Sequence, residues 1–285
     1  MSRIMNRPTF SLKHTLESGQ FFRWTRRSEG DYTVHAGRAL FRARQEGGAL
    51  RVEGASPEFG REFFSLDHDL GAIDAALRRD PKLRPALDAY PGLRLLRQDP
   101  WECTAAFILS IASNIPRITG NIADLARVYG DVSRLGDVES HDFPGPRAFV
   151  DEKELRRLKL GFRAAYLVQS ARLAAGGLLE EIECLPTEEA KDALMVMPGV
   201  AEKVADCVLL FAYGRLSAFP VDTWIRKVMT EMFFGGRRVP DRAIRAFAQE
   251  RWGDLAGYAQ QYLYHWSRCA WTPASSRGRR AVSRV

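Results

Sequence analysis

Residues 197–207 read Met197-Pro198-Gly199-Val200-Ala201-Glu202-Lys203-Val204-Ala205-Asp206-Cys207, and residues 219–222 read Phe219-Pro220-Val221-Asp222. Pro198 and Gly199 interrupt two helical patterns, so the first stretch is predicted to form a helix, a tight hairpin and a second helix. The amides at the start of the second helix would be free to bind an anion. Lys203 and Cys207 are four residues apart, which places both side chains on one face of that helix. Taken alone, a lysine at such a position is usually a solvated surface group.

The pattern of the second helix places Lys203 at the edge of the buried face. The apolar stripe of this helix consists of Val204, Ala205, Val208, Leu209 and Ala212. Partial desolvation and a nearby helix N-terminus favour the neutral, nucleophilic form of an amine. Such an amine forms Schiff bases with aldehyde-level carbons.

Asp222 stands immediately before a predicted helix that begins near Thr223. It can act as an N-cap, which contributes about 1 kcal/mol. It can also act as a carboxylate that stabilises a developing positive charge. The two roles are compatible, and both remain open at this point.

The length and composition predict an ordinary globular protein. A chain of 285 residues is long enough for two packed domains or one large domain. Its apolar runs are too short to span a membrane, and residues 1–13 lack the apolar core of a signal peptide. We therefore expect a soluble intracellular protein with no membrane partner.

The charge of the chain is unevenly distributed. The formal net charge is +7, but four arginines and no acidic residue fall within residues 272–285, so the rest of the chain carries +3. Such a body binds a polyanion only where its basic residues cluster. The tail is predicted to be disordered, either as a non-specific DNA arm or as a solvated end.

The four cysteines and five histidines are widely scattered. They have neither the spacing of a zinc site nor that of an iron–sulfur cluster, and no disulfide is expected inside a cell. We predict no metal and no cofactor.

The chain as a whole predicts an α+β fold, in which a small N-terminal antiparallel β-sheet domain packs on a large all-helical body with a helix-hairpin-helix motif. The β-rich segments, broken by Gly-Asp and Gly-Gly, are Phe10–Leu12, Phe21–Trp24, Tyr32–His35 and Ala39–Ala43. The pattern becomes helical from Ser56 onward. The predicted units are residues 1–98, the helical body 99–271 with the motif at about 187–213, and the tail 272–285.

The helices predicted after Pro100 cover most of the remaining chain. They are Trp101–Ala112, Ile115–Tyr129, Lys153–Leu158, Phe162–Ala175, Thr187–Met197, Ala201–Tyr213, Thr223–Phe233, Asp241–Trp252 and Gly257–Cys269.

The hairpin stretch and the Pro-Val-Asp that follows resemble the helix-hairpin-helix signature of DNA base-excision glycosylases, in particular of the 8-oxoguanine DNA glycosylase/lyase family. Four further stretches match that family's pattern in the same order along the chain. They are Ser18–Trp24, Leu95–Cys103 running on to Asn114–Ile118, Leu160–Tyr166 and Ala256–Tyr264. The resemblance spans roughly residues 10 to 269.

The resemblance implies a bifunctional DNA glycosylase and AP lyase. Such an enzyme flips 8-oxoguanine out of double-stranded DNA, with cytosine as the expected opposite base, and excises it through a lysine Schiff base. It would act as a monomer, in the cytoplasm and nucleoid of a bacterium or in the nucleus of a eukaryote.

In this resemblance Lys203 matches the nucleophile that attacks the anomeric carbon of the deoxyribose. Asp222 matches the carboxylate that stabilises the oxocarbenium-like transition state. The carbonyl of Gly19 matches the acceptor for the N7–H of 8-oxoguanine, a hydrogen that guanine lacks, so guanine would leave two acceptors facing each other.

Three other side chains match the pocket for the flipped base. Gln260 matches the group that contacts its Watson–Crick edge, while Tyr264 and Cys207 match the groups on its two faces. Simpler alternatives remain: Tyr264 can be a core residue, Gln260 a surface polar group, and Gly19 a plain turn.

On the opposite strand, Phe162 matches a wedge that fills the gap left by the flipped base. Arg117 and Arg163 match arginines that contact the orphaned cytosine. Either arginine could contact a phosphate instead, which would not specify the partner base. Gly199, Val200, Ala201 and Trp224 match positions at the DNA backbone.

The sequence departs from the family pattern at three positions. Ala201 replaces the usual glycine of the hairpin and requires a negative φ there. Ala112 replaces an asparagine that helps to hold the opposite cytosine, which puts strict selectivity for that base in doubt. Trp224 replaces a histidine near a backbone phosphate, and an indole carries no charge.

Two rival functions remain open. One is a glycosylase of the same superfamily for another damaged purine, although monofunctional relatives generally lack the lysine. The other is a non-catalytic helix-hairpin-helix DNA-binding protein, which would bind intact and damaged duplex equally well and form no covalent intermediate.

Overall fold

The computed structural model describes residues 2–6 and 10–271, and it confirms the α+β class. The strands are β1 Ser2–Asn6, β2 Trp24–Ser28, β3 Asp31–Ala36, β4 Ala39–Glu46, β5 Ala49–Glu53, β6 Val132–Leu135 and β7 Val138–His141. The first seven helices are α1 Leu12–Leu16, α2 Pro57–Phe63, α3 Leu70–Leu77, α4 Arg84–Ala89, α5 Pro100–Leu109, α6 Ile115–Tyr129 and α7 Glu152–Arg157. The other seven are α8 Arg163–Ala175, α9 Leu178–Cys184, α10 Thr187–Met195, α11 Glu202–Phe211, α12 Thr223–Met232, α13 Asp241–Trp252 and α14 Ala256–Cys269.

Strands β1 to β5 form an antiparallel sheet in the order β1-β5-β4-β3-β2. The register pairs Tyr32 with Ala43 and Val34 with Phe41, and all four side chains are buried. These four residues lie two apart on each strand, so they place one face of the sheet on the smaller hydrophobic core. The predicted meander is therefore present, with β1 as an additional edge strand that the sequence did not indicate.

The strand predicted at Phe10–Leu12 is wrong. Ser11 is instead the N-cap of α1, and its hydroxyl accepts a hydrogen bond from the backbone N–H of His14 at 3.2 Å. The first amides of a helix have no partner within the helix, and the serine hydroxyl satisfies one of them. The strand predicted at Phe21–Trp24 also begins only at its last residue.

The helical body contains one β-hairpin, so the prediction of an all-helical body is wrong at this point. Strands β6 and β7 pair antiparallel across a turn at Gly136, which has φ 58°. Each strand has four half-exposed or exposed residues. The sequence therefore has no long apolar run that would predict strands there. The local indication of a hairpin in the sequence is the Gly136-Asp137 pair at its turn. Helix α9 was also missed, whereas α6 and α13 have the predicted bounds.

Two separate hydrophobic cores hold the described chain together. Aromatic side chains of the sheet and α2 form the smaller core, with Phe41 in edge contact with Phe63 and Phe64. The larger core belongs to the helices from α3 onward. The division of the chain at residue 98 stays a prediction, and the tail 272–285 lies outside the described residues.

A buried ion pair joins the sheet to the helical body. Arg23 lies 3.5 Å from Glu102 of α5, and the carboxylate also accepts a hydrogen bond from the backbone N–H of Gly37 at 2.6 Å. Burial raises the pKa of Glu102 to about 7, against the opposing effect of the Arg23 charge. The cost of burying this carboxylate therefore exceeds the stabilisation that its partners provide.

Over the described ranges, every helix is too short or too polar to cross a membrane. The four cysteines are free, and no group of three or more His, Cys, Asp or Glu side chains within those ranges could hold a metal.

Candidate active site

A cavity of about 800 Å³ opens between α5, α11, α12 and α14. Seven of the residues predicted from the sequence line it: Gly19, Gly199, Ala201, Lys203, Asp222, Trp224 and Tyr264. These residues come from four separate parts of the chain, so their convergence is a result of the tertiary fold.

Lys203 is half-buried in the first turn of α11. Its Nζ donates a hydrogen bond to Ser110 Oγ at 3.0 Å and lies 5.0 Å from the centre of the Phe107 ring. The Ser110 hydroxyl in turn donates to the carbonyl of Phe107 at 2.6 Å. The serine oxygen therefore acts as an acceptor toward the amine and fixes its position.

Cys207 lies one turn after Lys203 and is buried. Burial raises the pKa of its thiol to about 12, with the Lys203 charge acting in the opposite direction. The thiol stays protonated at neutral pH, so it offers a packing surface and not a competing nucleophile.

Asp222 is the N-cap of α12, as its position in the sequence predicted. Its Oδ1 accepts a hydrogen bond from the backbone N–H of Ile225 at 2.8 Å. Burial raises the pKa of the carboxyl, although the Ile225 amide and the Lys203 charge both oppose that change. Asp222 also lines the cavity, so the cap is compatible with the electrostatic role, which stays a prediction.

The hairpin before α11 depends on Gly199. Its φ is +85°, and a Cβ atom there would lie 2.7 Å from Cδ2 of Tyr166. Ala201 has φ −90° and ψ 175°, the negative φ that an alanine requires. It provides no side-chain cap for α11, so the first amides of that helix are open to an anion. Val200 is buried, and its N–H donates to the carbonyl of Met197 at 2.9 Å.

Gly19 and Tyr264 face each other in the cavity. Gly19 has φ +81°, and a Cβ atom there would lie 3.3 Å from Cε1 of Tyr264 and 2.8 Å from Nη1 of Arg268. Burial raises the pKa of the Tyr264 hydroxyl to about 12, so the ring stays neutral. A side chain at position 19 would therefore be strained by the positive φ and would displace Arg268 or Tyr264.

Gln260 lies one turn before Tyr264 on α14 and is only 4% exposed. Its Nε2 donates to the carbonyl of Pro220 at 3.2 Å, while its Oε1 has no hydrogen-bond partner among the described residues. Gln260 is therefore not the surface polar group that the simpler alternative assumed. A buried acceptor without a partner is costly unless a ligand satisfies it.

Phe162 is 46% exposed immediately before α8. Its ring packs edge-on against Tyr166 with centroids 5.8 Å apart. Trp224 is also exposed, at the first turn of α12. Both side chains are therefore accessible to a partner.

The two arginines predicted to contact the opposite base differ in their surroundings. Arg163 is 3% exposed, and its guanidinium donates to the carbonyls of Ile111 and Ala112, the latter at 2.8 Å. These bonds hold Ala112 at φ 47°. Arg117 is exposed and donates to the carbonyl of Lys159 at 3.3 Å. In this arrangement only Arg117 is accessible to a ligand.

Sequence reasoning missed Ser110 and Arg268, which also line the cavity. A serine near the end of a helix and an arginine in a terminal helix are common, and neither carries a local signal. Only the contacts of Ser110 with Lys203, and of Arg268 with the residues around Gly19, set them apart.

Comparison with known proteins gives consistent matches. Residues 3–104 match the family model described as 8-oxoguanine DNA glycosylase, N-terminal domain. A probable N-glycosylase/DNA lyase of Methanothermobacter thermautotrophicus is 31% identical over 255 residues, which cover 79% of this chain and 81% of that protein. The N-glycosylase/DNA lyase OGG1 of Arabidopsis thaliana is 31% identical over 282 residues, covering 89% and 76%.

A solved structure is also similar over most of its length. The Clostridium acetobutylicum 8-oxoguanine glycosylase/lyase, in complex with double-stranded DNA containing cytosine opposite 8-oxoguanine, has a TM-score of 0.87 and 34% identity. The match covers 91% of this chain and 92% of that one.

Proposed function

The chain belongs to the 8-oxoguanine DNA glycosylase/lyase family, and from this premise we propose that it excises 8-oxoguanine from double-stranded DNA and then cleaves the abasic strand. The observation that carries the proposal is the placement of Lys203 and Asp222 in one cavity with Gly19 and Tyr264. That cavity combines a positioned amine, a carboxylate and an aromatic surface, which are the groups that a base-excising lyase needs.

The chemistry starts at the amine. Lys203 Nζ attacks C1′ of the flipped nucleotide, the C1′–N9 bond breaks, and its electron pair leaves with the base. Asp222 stabilises the positive charge that develops on the sugar in this step. On attack the neutral amine becomes an ammonium, and one of its protons passes to the departing base. The C1′–O4′ bond then breaks as the nitrogen lone pair forms the C=N bond, O4′ takes up a proton from water, and a protonated Schiff base joins Nζ to C1′. Strand cleavage follows from that intermediate by elimination.

Base recognition follows from two acceptors. The carbonyl of Gly19 accepts the N7–H that distinguishes 8-oxoguanine from guanine. The unpartnered Oε1 of Gln260 accepts from the Watson–Crick edge, where a purine of the guanine type carries N1–H and an amino group. Tyr264 stacks on one face of the base, and Cys207 packs on the other.

The duplex is held from outside the cavity. The exposed Phe162 fills the space of the flipped base, and Arg117 contacts the cytosine left behind. Arg163 would have to release its carbonyls before touching that base, so its predicted contact stays a prediction. Amides at the start of α11, together with Gly199 and Trp224, bind the DNA backbone.

One chain supplies every residue of this scheme, so we propose a monomer that needs no cofactor. It would act wherever the genome is held, in a nucleoid or a nucleus.

Covalent trapping tests the proposal. The protein is incubated with a duplex containing 8-oxoguanine opposite cytosine in the presence of borohydride, which reduces a Schiff base to a stable cross-link. Wild type is expected to cross-link, Lys203→Gln is not, and the matched control Lys82→Gln, whose lysine lies outside the cavity, should behave as wild type.

The outcomes separate the rival functions. Absence of a cross-link with wild type would refute the lyase step. Trapping on an alkylated purine but not on 8-oxoguanine would reassign the substrate. Equal binding of intact and damaged duplex without trapping would indicate a non-catalytic DNA-binding protein.

A further inference from the structure

Arg268 brings a positive charge into the cavity that the mechanism above does not use. It lies one turn after Tyr264 on α14, and its guanidinium carbon is 5.4 Å from the centre of the Tyr264 ring. It is half-buried and lines the same cavity as Lys203 and Asp222. Burying a cation is costly unless polar partners compensate for the lost hydration, so the partners of the Arg268 guanidinium matter.

One side of the guanidinium is anchored. Its Nη2 donates to the carbonyl of Glu17 at 3.0 Å and lies 3.3 Å from Nδ1 of His265. Both partners are neutral. The Glu17 carbonyl carries no charge, and burial lowers the pKa of His265 to about 3, so its imidazole is uncharged at neutral pH. No carboxylate among the described residues forms an ion pair with Arg268, so its charge is not compensated within the described chain.

The other side is open. Nε is buried without a hydrogen-bond partner, and the hydrogen bonds of the guanidinium to other described residues are made by Nη2. Nη1 lies close to Gly19, 2.8 Å from the position that a Cβ atom would take on that residue. A donor anchored through Nη2 therefore lies beside Gly19, the residue whose carbonyl is proposed to accept N7–H.

The edge of 8-oxoguanine complements this pair of groups. Its N7–H is a donor and the neighbouring C8 carbonyl oxygen is an acceptor, whereas guanine has an N7 acceptor and a C8–H. An acceptor from Gly19 beside a donor from Arg268 matches the oxidised base and not the normal one. An arginine is suited to this task because it is donor-only and always charged.

We propose that Arg268 is a specificity-determining residue that donates a hydrogen bond to the C8 carbonyl oxygen of the flipped base. The inference rests on the proposed function, since it takes 8-oxoguanine as the substrate. It adds a second contact to the lesion, on an atom that Gly19 does not touch.

Single-turnover excision tests the inference on two substrates. One duplex carries 8-oxoguanine opposite cytosine; the other carries its 8-thio analogue, which keeps N7–H but replaces the oxygen by a weakly accepting sulfur. A charge-assisted hydrogen bond corresponds to a roughly 10- to 100-fold preference of wild type for the oxygen substrate. Arg268→Met should lose this preference by becoming slower on 8-oxoguanine, and Arg268→Lys should recover part of it.

Several results would overturn the proposal. If Arg268→Met keeps the wild-type preference, the oxygen is not contacted by this residue. If the variant weakens the binding of intact and damaged duplex equally and flattens the salt dependence, Arg268 binds a phosphate. Equal rates of wild type on both substrates refute the contact without any variant, which covers the case of a variant that folds poorly. Failure of wild type to excise 8-oxoguanine at all would instead refute the proposed function.

Discussion

Substitution of Asp222 tests its capping role and its proposed electrostatic role separately. Asparagine is as good an N-cap as aspartate, so Asp222→Asn keeps the hydrogen bond to the Ile225 amide but removes the charge. Asp222→Ala removes both. The two variants are equally neutral, so the difference in stability between them measures the cap alone.

The expected sizes follow from the site. Loss of the cap should make Asp222→Ala less stable than Asp222→Asn by about 1 kcal/mol. In the proposed scheme the Asp222 charge stabilises the charge on the sugar, and two unit charges about 4 Å apart interact by about 4 kcal/mol at an effective dielectric constant of about 20. Because an asparagine dipole retains part of this effect, the excision rate of Asp222→Asn should fall by about 10²- to 10³-fold.

Two assays check these values. Urea unfolding at neutral pH gives the free energies of unfolding, and single-turnover excision of 8-oxoguanine gives the rate with DNA binding saturated. Asp222→Asn should match or exceed wild type in stability, because burial of the wild-type carboxylate is unfavourable. The reasoning is refuted if Asp222→Asn excises within about threefold of wild type, since a factor of ten corresponds to about 1.4 kcal/mol of lost stabilisation.

Three further predictions concern the hairpin, the proposed wedge and the ion pair between the sheet and the helical body. Gly199→Ala should lose at least about 2 kcal/mol of stability, because an alanine at φ +85° costs about 1–2 kcal/mol and its Cβ contacts Tyr166. The control Gly120→Ala has open space around its Cβ and should lose no stability; thermal unfolding compares the two variants. Phe162→Ala should melt like wild type yet excise at least about tenfold more slowly from duplex, since unstacking costs a few kcal/mol; equal loss on single-stranded substrate would argue against a wedge. Because the pKa of Glu102 is higher in the folded state, its protonated form stabilises the fold. This stabilisation is fully present below about pH 4.3, the pKa of a glutamate in an unfolded chain, and is lost as the pH rises to about 7. Over that window Glu102→Gln should remove about 3 kcal/mol of pH dependence, measured by urea unfolding; an unchanged slope would contradict the shift.

Local signals predicted much of the candidate site. The Pro-Gly break, the helical periodicity around Lys203 and the capping position of Asp222 are each encoded within a few residues. The structure has the hairpin, the half-buried lysine and the N-cap in those places. Such features follow from sequence because backbone preference and periodicity act over one or two turns.

Local signals failed where neighbours in the chain did not decide the outcome. Residues Phe10–Leu12 have β-rich composition, but Ser11 caps a helix there. Arg163 fits a base contact by its place in a motif, but its guanidinium binds carbonyls more than fifty residues earlier in the chain. Propensity and motif position carry no information about such distant partners.

The sequence by itself determined the α+β class and the helix-hairpin-helix motif, and it indicated the proposed nucleophile and its carboxylate. Only the tertiary structure decided how that amine is held and what surrounds the base. Lys203 meets Ser110 across 93 residues of sequence, and Arg268 meets Glu17 across 251. Those contacts arise from the packing of α14 and α5 around the cavity, and packing depends on the whole chain.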